Sequence, residues 1–253
     1  RNYKLKNYYS TFDFTDGTSN NLNYTVTLSR NSIDAPIYPR SGSEVSLMAQ
    51  LTPPFSLLNG KDYSKMAETD KYQWIEYHKW KLSASVYTKL AGNLVLSVRT
   101  KFGFLGSYNK KELGIPPFER FYLGGDGLSG FSLDGRELIA LRGYTNNSLT
   151  PRNSNGYVGG SIFDKFTVEL RYPISLNPMA TVYVLGFAEG GNAWEKWKDF
   201  NPFDVYRSAG VGVRVFLPMF GILGLDWGYG FDNIPGVGKG GSQFHFSINQ
   251  SID

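Results

Sequence analysis

Phe118 to Thr150 reads FERFYLGGDGLSGFSLDGRELIALRGYTNNSLT, and it lies between segments that alternate between apolar and polar residues. The stretch predicts a long loop. Its glycines, Gly124, Gly125, Gly127, Gly130, Gly135 and Gly143, let the backbone turn tightly and approach other backbone where a side chain would clash. It also carries Arg142-Gly143-Tyr144. An arginine followed by glycine and an aromatic can send a permanently charged, five-donor fork into a polar cavity while the ring packs beside it. Two readings stay open on these residues alone: insertion into a cavity, or a solvated surface loop of the kind long connections often form.

The flanks decide the fold. Period-2 alternation, the pattern of a two-faced strand, recurs along the chain. Leu22, Tyr24, Val26 and Leu28 alternate with polar residues, as do Val45 to Leu51, Trp80 to Val86 and Leu94 to Phe104. Beyond the loop the pattern resumes in Phe166 to Tyr172, which Pro173 is expected to end, and in Thr181 to Glu189, followed by a loop holding Trp194 and Trp197. Ala209 to Val215, Leu223 to Tyr229 and Phe244 to Ile248 carry it most cleanly. Tyr3 to Phe14 reads as the end of a strand, with a turn at Asp16-Gly17. Asp34-Ala35-Pro36 and Pro39-Arg40-Ser41-Gly42 punctuate a further turn, Pro53-Pro54 stops a strand, and Asn59 to Asp70 is a polar loop.

Soluble β-sandwiches also alternate, with the apolar face inward. Aromatic residues at strand ends and short turns alternating with long loops favour a membrane β-barrel instead. The 253 residues are 41% hydrophobic and 16% aromatic, with 29 glycines and no cysteine. Mean hydropathy is −0.29, a value that a two-faced barrel reaches because lipid-facing and lumen-facing residues cancel. The longest apolar run, Val215 to Leu225, is too short for a spanning helix and is interrupted by Pro218, Gly221 and Gly224. Arg1 is followed by polar and aromatic residues, so no signal peptide is expected within these residues. The net charge of +4 is scattered, which argues against nucleic acid as a partner.

Catalytic constellations are scarce. His78 and His245 are the only histidines, and neither HExxH nor GxSxG occurs. His245 sits on the polar face of the last strand and reads as a lumen residue. No Lys-Ser/Thr follows the loop glycines, which excludes a phosphate-binding P-loop. These residues imply no enzyme and no cofactor.

Phe121-Tyr122-Leu123-Gly124-Gly125 followed by Leu141-Arg142-Gly143-Tyr144 resembles the sixth extracellular loop of the BamA family, with its FY-x-GG and (V/I)RG(F/Y) elements. Asp34 to Gly42, Glu169 to Pro173 and Phe187 to Trp194 are similar to further family motifs, in the family's order. Lys239-Gly240-Gly241-Ser242-Gln243-Phe244-His245-Phe246 resembles its β-signal, with Lys239, Gly241, Phe244 and Phe246 at the matching positions. Two departures stand out: Asp126 to Leu141 intervene between the GG and RGY elements, with Ser129-Gly130-Phe131 where a shorter loop would place the triplet, and Glu189 replaces the more usual aspartate.

The resemblance implies an all-β, antiparallel transmembrane β-barrel. About nine strands are present here, the carboxyl-terminal portion of a barrel of roughly sixteen, within the even-numbered range of such proteins. Residues 1–253 would form one barrel domain or partial barrel, and 107–162 a long extracellular loop folded into the lumen. The implied function is assembly of outer-membrane proteins at the barrel seam, in the cell outer membrane. The implied partners are nascent outer-membrane proteins, accessory outer-membrane lipoproteins and the lipid bilayer. A TamA-like or two-partner-secretion translocator is the alternative within the superfamily, and a diffusion porin the alternative outside it. Arg142 is expected to meet Glu169 or Glu189 in the lumen. Glu169 lies on the polar face of its strand, whereas Glu189 shares parity with Tyr183, Leu185 and Phe187, so only the family match or a local bulge would turn it inward.

Overall fold

The computed structural model describes residues 2–5, 17–127, 136–154 and 156–249. Nine strands form one antiparallel sheet, each paired with its neighbour in sequence: β1 (Tyr24–Asn31), β2 (Gly42–Leu51), β3 (His78–Ala91), β4 (Leu94–Gly106), β5 (Ile162–Asn177), β6 (Ala180–Trp194), β7 (Tyr206–Leu217), β8 (Gly221–Ile234) and β9 (Gly238–Asn249). Strands β1 and β9 are the sheet's edges. Asn2–Leu5 pairs separately with Gly17–Asn20. The rest of the expected Tyr3 to Phe14 segment, with Asp16, Gly130, Gly135 and the Ser129-Gly130-Phe131 triplet, lies outside the described residues.

One end of the sheet carries the connections 32–41, 92–93, 178–179 and 218–220, and the other carries 52–77, 107–161, 195–205 and 235–237. The asymmetry agrees with the expected alternation of short turns and long loops. Short helical segments, Tyr63–Lys65 and Glu68–Lys71, interrupt what reads in sequence as a plain polar loop from Asn59 to Asp70, and a further helical turn, Phe55–Leu58, precedes it.

Two boundaries differ from the sequence pattern. Strand β5 runs through Pro173 to Asn177. Pro173 lies beyond the last pair with β4, Arg171 with Val95, and beside a register shift between Pro173 and Ser175. An edge position and a bulge are the settings in which a sheet tolerates proline. Strand β6 continues to Trp194, so Trp194 closes a strand and only Trp197 belongs to the following loop.

One face of the sheet is apolar and exposed, through Val26, Leu82, Val98, Val168, Leu170, Val211, Leu225 and Phe246. The opposite face is polar, yet Ser97, Thr167, Glu169, Arg171, Ser208, Asp226 and His245 on it are buried. The long connection 107–161 covers them. It folds back over the inner face and brings Phe118, Phe121, Leu123, Leu141, Tyr144 and Leu149 against Leu105 and Phe163 of the strands. A solvated loop is thereby overturned: burying these side chains removes apolar area from water at about 25 cal/mol per Å².

Gly103 makes the closest of these contacts possible. Phe121 from the loop and Phe163 from β5 pack with ring centroids 4.7 Å apart, directly over the glycine. A Cβ there would lie 2.2 Å from Phe163 Cε1 and 2.8 Å from Phe121 Cζ. Gly103→Val is expected to weaken loop docking by about 1–3 kcal/mol, the usual range for overpacking. Limited proteolysis of the full-length protein should then show faster cleavage within 107–161, with heat-modifiable migration of the folded barrel retained.

Candidate functional site

The expected lumen contact is present and larger than the sequence suggests. The Arg142 side chain is only 8% exposed. Its Nη2 lies 2.8 Å from Glu169 Oε1 on β5 and 2.8 Å from Glu189 Oε1 on β6, and its Nη1 lies 3.3 Å from Asp226 Oδ1 on β8. The Arg142 backbone N–H donates to Glu189 Oε2 at 2.9 Å, so this carboxylate grips both ends of the residue. The guanidinium also lies 3.6 Å from the centroid of the Phe187 ring. A planar cation with several donors can serve three carboxylates and an aromatic face together, which a lysine ammonium cannot do with the same geometry.

Each carboxylate keeps a second cation. Arg99 and Arg171 reach Glu169 at 2.9 and 2.6 Å, Lys165 reaches Glu189 at 3.0 Å, and Arg214 reaches Asp226 at 2.8 Å. Thr167 Oγ1 donates to Glu189 at 3.1 Å. Buried charges persist only when paired, and every charged group in this network has an opposite partner.

Glu189 corrects one expectation. Strand β6 holds continuous register with β7 and, from Trp194 to Tyr183, with β5, so no bulge turns the residue. Tyr183, Leu185 and Phe187 share its parity because they too face inward, and all are buried. Apolar side chains had suggested the lipid face. They instead form a buried inner cluster, with Phe187 under Arg142 and Tyr183 near Arg171.

Gly143 and Tyr144 fix the loop to the last strands. The Gly143 φ of 85° is a left-handed conformation, and a Cβ there would stand 2.8 Å from Gly230 N and 2.9 Å from Tyr229 C. Its N–H donates to Nε2 of His245 on β9 at 2.8 Å. His245 is therefore an inward-facing residue, as expected, and also a direct acceptor for the loop. Tyr144 is fully buried. Its hydroxyl donates to Arg207 O at 2.7 Å and accepts from Asp232 N at 3.3 Å. Burial pushes this phenol up to about 12. The ring occupies space that exists because positions 230 and 240 are glycine.

The long insertion between the GG and RGY elements is closed at its neck. Leu141 N–H donates to Gly125 O and Gly124 N–H to Ile139 O, each at 3.0 Å, and Phe121–Leu123 pairs in parallel with Glu137–Ile139. Gly124 and Gly125, with φ of 119° and 81°, thus stand next to Leu141-Arg142 despite the residues between them. Of the β-signal positions, Phe244 and Phe246 point outward on β9, paired with Trp227 and Leu225. Gly241, with φ of 70°, and Lys239 flank a register shift in that ladder. Neither phenylalanine meets the Arg142 cluster.

A second anchor escaped the sequence reading. Lys79 on β3, 2% exposed, reaches Glu137 Oε2 at 2.6 Å and Glu119 Oε2 at 3.3 Å, and donates to Glu119 O at 2.8 Å. Lys81 meets the other Glu137 oxygen at 2.9 Å. The only available signal was a pair of lysines two apart on the polar face of β3.

Residues 1–252 match the Omp85 superfamily domain. The chain belongs to the Omp85 superfamily. Among solved structures it is similar to the crystal structure of BamA from Haemophilus ducreyi lacking POTRA domains 1–3. The TM-score is 0.60 at 19% identity, over 90% of this chain and 42% of that one. The chain thus spans less than half the length of that relative. The likeness is one of fold: this Omp85 domain has the architecture of the carboxyl-terminal part of a transmembrane barrel.

Arg142→Ala should undock the loop at a cost of about 3 kcal/mol, the low end for breaking a buried pair because each carboxylate keeps a second cation. Arg142→Lys should recover only part of that, as read by protease protection of 107–161. A swap of Arg142→Glu with Glu189→Arg should not restore docking, since a carboxylate at position 142 would face Glu169 and Asp226.

At the second anchor, burial raises the Glu137 carboxyl, but Lys79 and Lys81 outweigh it and hold the group below its ordinary value of 4.5. With the folded value depressed, its contribution is complete above about 4.5 and is lost as pH falls through the lower folded value. Hydrogen exchange at Phe121–Leu123 and Glu137–Ile139 should accelerate over that window, and Glu137→Gln should abolish the response.

Proposed function

We propose that this chain is the carboxyl-terminal barrel portion of an outer-membrane protein assembly factor, acting without catalysis on nascent outer-membrane proteins. In this reading it lies in the cell outer membrane, with the 107–161 loop entering from the extracellular end. The observation that carries the proposal is the Arg142 cluster, in which the RGY element is buried against Glu169, Glu189 and Asp226 beside the last strands. A loop held in this way favours the reading over a diffusion porin. A space on the inner face, about 330 Å³, is lined by Arg99, Lys165, Arg171 and Arg214 with the clustered carboxylates.

The work is done at strand edges. Unpaired N–H and C=O groups of an edge strand can pair with an incoming strand, so a client's terminal strand could be held by backbone hydrogen bonds before it inserts. Strand β9 is such an edge within this chain. Accessory lipoproteins belong to the same reading as partners. A TamA-like factor would use the same loop and edge.

The test is reconstitution of the full-length protein in liposomes with an unfolded outer-membrane protein as client. Heat-modifiable migration of the client should appear faster than in empty liposomes, and Arg142→Ala should reduce the rate by about tenfold or more. No acceleration by the wild-type protein would refute the assembly reading. Phe246→Ala addresses the terminal strand separately. If β9 acts as an assembly signal, this variant should reach the outer membrane poorly; normal levels would make Phe246 an ordinary lipid-facing residue.

A further inference from the structure

The connection between β6 and β7 does not simply cap the strands. It folds down over the outer, apolar face of the sheet. Trp197 stands edge-on to Phe104 of β4 with centroids 5.5 Å apart, and Phe200 lies 5.0 Å from Trp194 and 5.8 Å from Phe102. Between this flap, the strand ends and the start of the 107–161 loop is a pocket of about 730 Å³, within the roughly 300–1,000 Å³ range of ligand sites. Its floor is Trp80, Phe102 and Phe104, and its walls include Trp197 and Ile115. Trp80 and Trp197 remain 40% and 61% exposed, so the aromatic packing leaves the pocket open at its mouth.

The rim differs from the floor. Lys110, Arg120 and Lys196 line it with a single carboxylate, Glu195. Arg120 is engaged by the carbonyls of Ile115 and Pro116. Lys110 and Lys196 are exposed and make no ion pair among the described residues. An apolar cleft on the bilayer-facing side, topped by two uncommitted ammonium groups, matches an amphiphile with acyl chains below and an anionic head above. Aromatic rings at the membrane boundary suit the same depth.

We propose that this pocket is a binding site for a phosphorylated membrane lipid, with its phosphate between Lys110 and Lys196 and its chains against Trp80, Phe102, Phe104 and Trp197. The inference rests on the reading that the outer face of the sheet meets a bilayer. It concerns a site remote from Arg142, and the lipid would brace the β6–β7 flap against the start of the 107–161 loop.

Native mass spectrometry of the full-length protein in detergent tests it, with phosphatidylglycerol, phosphatidylcholine of the same chains, and inorganic phosphate as probes. Phosphatidylglycerol should be retained about tenfold better than phosphatidylcholine, on the scale by which juxtamembrane lysines attract anionic lipid. Lys110→Glu combined with Lys196→Glu should remove that preference, and Trp197→Ala should weaken both lipids; heat-modifiable migration confirms that the variants are folded. Equal retention of the two lipids, an unchanged preference in the lysine double variant, or displacement of the lipid by equimolar inorganic phosphate would overturn the proposal. Insertion of each protein into liposomes is measured alongside. A wild type that inserts but does not discriminate sinks the lipid site alone, whereas one that stays out of bilayers sinks the membrane reading and the site together.

Discussion

A guanidinium held among three carboxylates is the constraint on which the inner face depends. Charges removed from water are costly unless each finds a partner, and removing one partner from such a set strands the others. Strands β5, β6 and β8 contribute Glu169, Glu189 and Asp226, and among the described residues Arg142 is the cation that touches all three. The surrounding Arg99, Lys165, Arg171 and Arg214 each reach one of them. Arg142 therefore ties three strands to each other as well as to the loop. Its bond to Glu189 through the main chain fixes the depth of the loop, not only its charge.

Charge alone would not seat the loop. Its backbone must come within hydrogen-bonding distance of a sheet whose side chains ordinarily stand in the way, and glycine removes that obstacle on both partners. Gly143 lies against Gly228 and Gly230, where an added Cβ on either side would meet the opposite backbone at 2.5 to 2.8 Å. Tyr144 fills the remaining width, so the triplet combines a charge that demands burial, a residue without a side chain and a ring that excludes water. The opposite end of the sheet is tied in through the same cluster. Tyr38, in the turn between β1 and β2, donates to Arg171 O at 3.0 Å and packs on Tyr183 at 5.2 Å. Arg171 passes the connection to Glu169, and Glu169 to Arg142.

Strand positions were legible because alternation is a local property: Val98, Val168 and Val211 point one way and their neighbours the other, whatever lies across the sheet. Glu169 could be placed for that reason. Glu189 could not, because the inward residues Tyr183, Leu185 and Phe187 carry the apolar character that identifies a lipid face elsewhere. A lumen that receives an arginine and a tyrosine needs aromatic and aliphatic surface of its own, and at that point polarity ceases to report direction. Asp226 and the Lys79–Glu137 pair were hidden for another reason. They meet across 84 and 58 residues of sequence respectively, and no local pattern encodes a distance of that kind. The insertion between Gly125 and Leu141 was misleading in linear spacing, since backbone hydrogen bonds and a short parallel pairing at its neck bring the two elements together.

The final strand shows how the two halves of the architecture meet. Strand β9 has one paired edge, toward β8, and one edge with no strand partner among the described residues. Its outward phenylalanines face away from the loop, while His245, between them in sequence, accepts a hydrogen bond from Gly143. A shift of β9 by one residue would exchange these faces, because side chains alternate with a period of two. His245 would leave Gly143 without its acceptor, and a phenyl ring would be driven against the Arg142 cluster. The buried loop thereby fixes the register of the strand that forms the open edge, and the contact that does so is a backbone N–H on an imidazole nitrogen next to a charge network whose groups are already paired.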